Sequence, residues 1–238
     1  MIVYGRKPVR EALWGRRSGQ VRDVWAIERL AGESWVHEGG TRVHVAAARD
    51  IEERCGSPDH QGVCAECGSY PYAGPDELLR GPDPFVLVLD QIQDPQNLGA
   101  ICRTAECVGV SGVAIPERRA AEVTPAVCKA SAGAVEYLRL ARVRNVADFL
   151  GDAKRAGCWC YGASAQAAVA YDRPDYRGGA VLVLGGEGKG LRPRVAAACD
   201  EMIALPMHGR IGSLNVSAAA AALLYEALQR RAPLDSAS

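Results

Sequence analysis

The run Phe85-Val86-Leu87-Val88-Leu89 restricts the fold of this chain more than any other feature. Five consecutive apolar residues without alternation suit a strand covered on both faces, as in a parallel sheet between layers of helices, and this one ends at Asp90. Further runs at 112–116, 137–143, 158–162, 181–184 and 202–205 read as strands, with helical patterns between most of them. That order predicts a doubly wound α/β sheet, in which ligands gather beyond the carboxyl ends of the strands. The segments after Leu89, Leu184 and Leu205 are therefore where chemistry is expected.

Upstream, the stretch from Ala73 to Pro84 holds three prolines and two glycines and reads as an interdomain linker. The predicted division is a first domain at 1–74, a linker at 75–84, a second domain at 85–232 and a tail at 233–238. The first domain mixes a short helix at 9–15, strand-like runs at 21–28, 42–46 and 63–67, and a helical pattern from Ala48, a small α/β unit. A length of 238 residues suits two modest domains, and 48% hydrophobic with 24% charged residues is a globular composition.

The 28 basic residues balance 28 acidic ones, so no global field advertises nucleic acid or an anionic membrane. Locally, residues 1–22 carry Arg6, Lys7, Arg10, Arg16, Arg17 and Arg22 against Glu11 alone, a basic edge of the kind that meets phosphate. A solvated helix face accounts for it equally well. The opening residues lack the apolar core of a signal peptide, and the longest apolar stretch, 218–225, is far too short to span a bilayer, so a cytoplasmic location without membrane contact is expected. Nine cysteines, an odd number without an export signal, predict free thiols.

Three segments carry unusual residues. The polar loop after Leu89 feeds a helix at 98–108 whose Leu98, Ile101, Ala105 and Val108 form a buried face, with Asn97 placed as its cap and Arg103 projecting elsewhere. Taken alone, Arg103 suits an intrahelical pair with Glu106. The turn Gly185-Gly186-Glu187-Gly188-Lys189-Gly190 follows a buried strand and exposes bare backbone, but Gly190 is followed by Leu191, where a phosphate loop needs Lys and then Ser or Thr after its last glycine. Glu187 would also repel phosphate. Finally, 203–207 leads through a polar stretch to Ser213, Asn215 and Ser217, more polar groups than capping the following Ala-rich helix requires.

Asn97-Leu98-Gly99-Ala100-Ile101-Cys102-Arg103-Thr104-Ala105, then Leu184-Gly185-Gly186-Glu187-Gly188, then Ile203 to Pro206 with Ser213-Leu214-Asn215-Val216-Ser217, resemble the three ordered motifs of the SpoU (TrmH-like) ribose 2′-O-methyltransferases of the SPOUT superfamily. Val3-Tyr4-Gly5, Val9 to Leu13, His60-Gln61-Gly62-Val63 and Tyr72-Ala73 resemble the L30e-like substrate-binding domain of the bacterial large-subunit rRNA guanosine branch. The resemblance implies a parallel sheet with a C-terminal deep trefoil knot, which spacing alone does not predict because knots are nearly absent from proteins. It implies S-adenosyl-L-methionine as cofactor, held by Leu184, Gly185, Gly186, Ile203, Leu205 and Leu214. It implies RNA as substrate, met by Arg6, Lys7, Arg10 and His60, and a homodimer whose active site draws on both copies. Arg103 would serve as base or electrostatic clamp, with Asn97, Glu187, Ser213 and Asn215 as the other catalytic positions.

Cys55, His60, Cys64 and Cys67 offer one zinc knuckle without a second, so no metal is expected. Within the enzyme class, a tRNA ribose methyltransferase and an antibiotic-resistance rRNA methyltransferase share the motifs. A catalytically silent RNA-binding assembly factor would have lost Arg103 or Ser213 and Asn215, and a phosphotransferase is disfavoured by the missing Lys-Ser/Thr step.

Overall fold

The computed structural model describes residues 1–186, 188 and 190–231. Its chain builds two sheets. The first holds β1 (Ile2–Tyr4), β2 (Val21–Ala26), β3 (Arg42–Val45) and β4 (Val63–Cys67) in the order β1-β4-β2-β3. β4 pairs antiparallel with β1 and β2, and β2 pairs parallel with β3. α1 (Arg6–Trp14), α2 (Glu28–Ala31) and α3 (Ala48–Cys55) accompany it. The strand expected at 21–28 thus stops at Ala26, where the chain turns into the short α2.

The second sheet is parallel throughout and is built from β5 (Phe85–Asp90), β6 (Gly112–Pro116), β7 (Leu140–Val143), β8 (Trp159–Ala163), β9 (Val169–Ala170), β10 (Ala180–Gly185) and β11 (Glu201–Ala204). α4 (Pro95–Cys107), α5 (Pro125–Ala130), α6 (Val146–Arg155), α7 (Pro193–Ala198) and α8 (Val216–Arg231) supply its helices. All six residues of β5 are buried, as its unbroken apolar run requires. The strand expected at 137–143 begins only at Leu140, because Tyr137 keeps a helical backbone to close the 3-10 turn of Ala134–Glu136. The order β7-β6-β5-β10-β8-β11-β9 departs from simple winding: β10 is inserted between β5 and β8, and β11 between β8 and β9. Each insertion brings a late loop back beside an earlier strand end. That is how the segments after β5, β10 and β11 come to share one edge of the sheet.

The segment joining the two sheets is ordered. Pro75–Leu79 form a 3-10 helix started by a bond from the Gly74 N–H to the Glu77 carboxylate (2.8 Å), and Leu78 is buried against Gly112. One apolar core runs continuously through both sheets. Arg17, read from the sequence as part of a basic edge facing either phosphate or solvent, lies in this junction with no exposure at all. Its guanidinium pairs with buried Glu136 (Nε to Oε2 2.8 Å) and stacks over Tyr70, whose hydroxyl donates to the carbonyls of Val135 and Leu138 at 2.8 and 3.1 Å. Among the described residues no helix is long and apolar enough to cross a membrane.

Candidate active site

Two adjoining cavities open at the carboxyl ends of the central strands. The larger, about 340 Å³, lies beyond β8, β10 and β11 and is lined by Leu184, Gly185, Gly186, Ile203, Leu205 and Leu214, the six positions implied as cofactor-binding, together with Ser213. Ser164 and Gln166, which follow β8, also line it. Sequence reasoning passed over this segment, although β8 ends at the same edge and the strand-end rule applied to it as well.

Local geometry explains the glycines. A Cβ on Gly185 would overlap the carbonyl of Gly190, so the returning loop closes directly over bare backbone. The Gly190 N–H donates to the Gly186 carbonyl at 3.1 Å, fastening the loop on itself. Leu184, Ile203, Leu205 and Leu214 give the cavity apolar walls while the glycine backbone leaves peptide groups accessible. An adenine edge needs peptide donors and acceptors, and the flat faces of its ring suit apolar walls. The residues present therefore fit S-adenosylmethionine.

The smaller cavity, about 290 Å³, is polar and is lined by Gln91, Gln93, Asp94 and Asn97, and it shares Gly186, Gly190 and Val216 with the first. Gln91 holds a left-handed backbone (φ 65°), a conformation that costs a non-glycine residue energy and marks a geometrically constrained loop. Asn97 is not the helix cap that the sequence suggested. Asp94 caps α4 by accepting the Gln96 N–H (2.9 Å), which leaves Asn97 inside the first turn, 8% exposed, with its Oδ1 accepting from Asn215 Nδ2 at 3.0 Å. Asn215 in turn accepts the Ser217 N–H (2.8 Å) and hydroxyl (2.6 Å), which caps α8.

Arg103 lies further along α4, exposed, and lines neither cavity. It forms no ion pair with Glu106 among the described residues. Six residues of helix turn it about 240° from Asn97. Within one chain, then, Asn97, Ser213 and Asn215 come together at the cavities and Arg103 does not. Glu187 lies outside the described residues. Beneath Arg103, burial pushes the Cys102 thiol up to about 12, so it stays protonated and takes no part as a nucleophile.

Of the residues implied to meet RNA, Arg6 and Lys7 are exposed on α1, and half-exposed Arg10 bonds Glu11 and stacks over Trp14. His60 differs: it is 8% exposed and its Nδ1 accepts the Gly62 N–H at 2.9 Å, so it holds its own turn rather than facing solvent. Cys64 and Cys67 sit in β4, and all nine cysteines are free.

The model of the SpoU rRNA Methylase family matches residues 84–225, and that of the RNA 2′-O ribose methyltransferase substrate-binding domain matches residues 2–73. YacO of Bacillus subtilis (strain 168), named for the TrmH family of tRNA/rRNA methyltransferases, is 44% identical over 74% of this chain and 72% of its own. The 23S rRNA (guanosine-2′-O-)-methyltransferase RlmB of Shewanella oneidensis is 35% identical over 97% of both chains. Among solved structures, the AdoMet-bound rRNA methyltransferase from Sinorhizobium meliloti superposes with a TM-score of 0.79 at 26% identity, covering 96% of this chain and 86% of that one. Glycine-walled and polar cavities meeting over one loop, the parallel sheet beneath them and these similarities agree: the chain belongs to the SpoU rRNA methylase family and is an S-adenosylmethionine-dependent RNA methyltransferase.

Proposed function

We propose that this enzyme methylates the 2′-hydroxyl of a guanosine ribose in 23S rRNA. The observation that carries the reading is the shared wall of Gly186, Gly190 and Val216, which sets a cofactor-shaped cavity directly against a polar one. The RlmB relative, aligned over 97% of both chains, supports rRNA over tRNA, and the match of residues 2–73 to an RNA 2′-O ribose methyltransferase substrate-binding domain supports the ribose hydroxyl as the acceptor.

The larger cavity would hold the cofactor through the backbone of Gly185 and its neighbours and the side chains of Leu205 and Leu214. When bound, S-adenosylmethionine supplies an electrophilic methyl group there. The protein must then place the ribose oxygen and stabilise the negative charge it develops as its proton leaves. Asn97, fixed by Asn215, orients the ribose at the polar cavity. Arg103, with five N–H donors, clamps the developing alkoxide and the adjoining phosphate.

For Arg103 to act at a cavity it does not line in its own chain, a second copy must bring the two together. We infer a homodimer on the face that α4 and α8 share. α8 exposes Ala218, Ala222 and Tyr225 at helical spacing on the side away from its buried Ala220, Leu223, Leu224 and Ala227, and Ile211 and Leu214 are exposed beside it. Small residues of this kind let two helices approach closely.

The test is transfer of labelled methyl from S-adenosylmethionine to unmodified 23S rRNA and, separately, to unmodified tRNA. Label in 23S rRNA at one alkali-resistant guanosine supports the assignment. Label in tRNA alone replaces the substrate, and RNA binding without label in either leaves a silent assembly factor.

A further inference from the structure

Asp90 ends β5 fully buried, and one residue satisfies both of its oxygens. Arg192 donates its backbone N–H to Oδ2 at 3.1 Å and its Nε to Oδ1 at 2.9 Å, and its Nη2 lies 2.6 Å from Oδ1. The position of this pair matters. Asp90 stands in register with Gly185, where the glycine loop begins, and Arg192 follows Leu191, where it ends. The pair therefore ties the loop at its base.

The loop needs such a tie. Gly188 and Gly190 adopt left-handed backbone (φ 76° and 63°), and a glycine-rich segment has little stiffness of its own. Among the described residues, its ends are held by the Gly190–Gly186 bond, the approach of Gly186 to the Gln91 carbonyl (2.8 Å from where a Cβ would sit) and the Asp90–Arg192 pair. Gly186 and Gly190 wall both cavities, so any shift of the loop changes the two together. Arginine suits the task better than lysine, because its planar fork fixes direction as well as charge.

We propose that Asp90 and Arg192 are a positioning pair that holds the glycine loop in its cofactor-receiving shape and thereby sets the affinity for S-adenosylmethionine. This rests on the assignment of the larger cavity to that cofactor. Neither residue lines a cavity, so both act through the loop.

The test is calorimetric titration of Arg192→Ala, Asp90→Asn and the double variant with S-adenosylhomocysteine, beside melting temperature and steady-state methyl transfer. Each single variant is expected to raise the S-adenosylhomocysteine Kd and the KM for S-adenosylmethionine by about tenfold or more, with kcat changed less, as for loss of an interaction that serves binding. The double variant leaves no unpaired buried charge and so recovers stability. It is expected to bind no better than the weaker single variant, because both changes break one contact. Wild-type affinity in the double variant, or in a folded Asp90→Asn, overturns the proposal and leaves the pair a fold-stabilising bridge. Should Arg192→Ala not fold, Arg192→Lys is expected to bind with intermediate affinity, and wild-type affinity there overturns the proposal too. Failure of the unmodified protein to bind S-adenosylhomocysteine would instead refute the cavity assignment.

Discussion

Asn97 and Asn215, 118 positions apart in the chain, are joined by a 3.0 Å hydrogen bond that ties the first turn of α4 to the start of α8. Asn215 also caps α8 through Ser217, so one residue carries a stabilising role and a site-building role at once. The two separate by substitution. Asn215→Ser retains a capping hydroxyl but cannot span the gap to Asn97, and it is expected to keep stability within about 0.5 kcal/mol of the native protein. Asn215→Ala loses both and is expected to cost about 1 kcal/mol. Urea denaturation reads the first difference. Single-turnover methyl transfer reads the second, with both variants slowed by about tenfold or more if the pair orients the ribose.

Arg103 offers a cleaner case, because it is exposed and its loss removes little packing. Arg103→Ala is expected to leave the melting temperature unchanged and to lower kcat by about 100-fold or more, the scale found when one donor to a developing oxyanion is removed. Arg103→Lys is expected to recover only a small part, since a single ammonium cannot reproduce the guanidinium fork. In a mixed dimer of Arg103→Ala and Asn97→Ala subunits, one of the two sites would regain both residues if they are contributed by different copies. Activity in that mixture above either variant alone is the expected outcome, and its absence places both residues in one subunit.

Much of the fold was legible because buried parallel strands have a distinctive composition. Phe85 to Leu89 holds no polar side chain and is bounded by Pro84 and Asp90, a short apolar run that suits a doubly covered strand. What composition does not encode is strand order: the insertion of β10 beside β5 depends on contacts between residues nearly a hundred positions apart, and no local pattern records them. Asn97 shows the same limit at the scale of a side chain. Its type and place beside a helix start suggested a cap, but Asp94 three residues earlier satisfies the backbone and frees Asn97 for Asn215. Arg17 was misread for a related reason, since its partner Glu136 is 119 positions away and a lone arginine in a basic stretch gives no sign of burial. Gln91, Gln93, Ser164 and Gln166 left only the strand-end rule to find them.

The cysteines differ in environment sharply enough to be told apart chemically. Burial pushes the thiols of Cys64, Cys102, Cys128 and Cys160 up to about 12, whereas Cys107 is exposed at the end of α4. A buried thiol with a raised pKa has almost no thiolate at pH 8 and no route to reagent. Iodoacetamide under native conditions is therefore expected to modify Cys107 and spare those four, which react only after urea unfolding. Mass mapping of the modified peptides checks this. If the dimer covers the exposed face of α4, Cys107 will in addition be protected in proportion to protein concentration.

The Arg17–Glu136 pair makes the strongest stability prediction. Burial alone would lower the guanidinium pKa, but the hydrogen bond and charge of Glu136 outweigh it and hold Arg17 above its usual range. Neither group reaches water, so removing one strands the other. Glu136→Gln is expected to cost about 3–5 kcal/mol, the usual penalty for an uncompensated buried charge. For a chain of this size that corresponds to a fall in melting temperature of about 6–20 °C. Replacing both by apolar residues, Arg17→Met with Glu136→Leu, is expected to recover most of the loss, because the desolvation of two charges is avoided together. Differential scanning calorimetry decides it. A Glu136→Gln variant as stable as the native protein would mean that water reaches the junction. A double variant that melts in two separate transitions would show that this pair couples the 1–74 sheet to the second sheet, for which the continuous apolar core would then be insufficient.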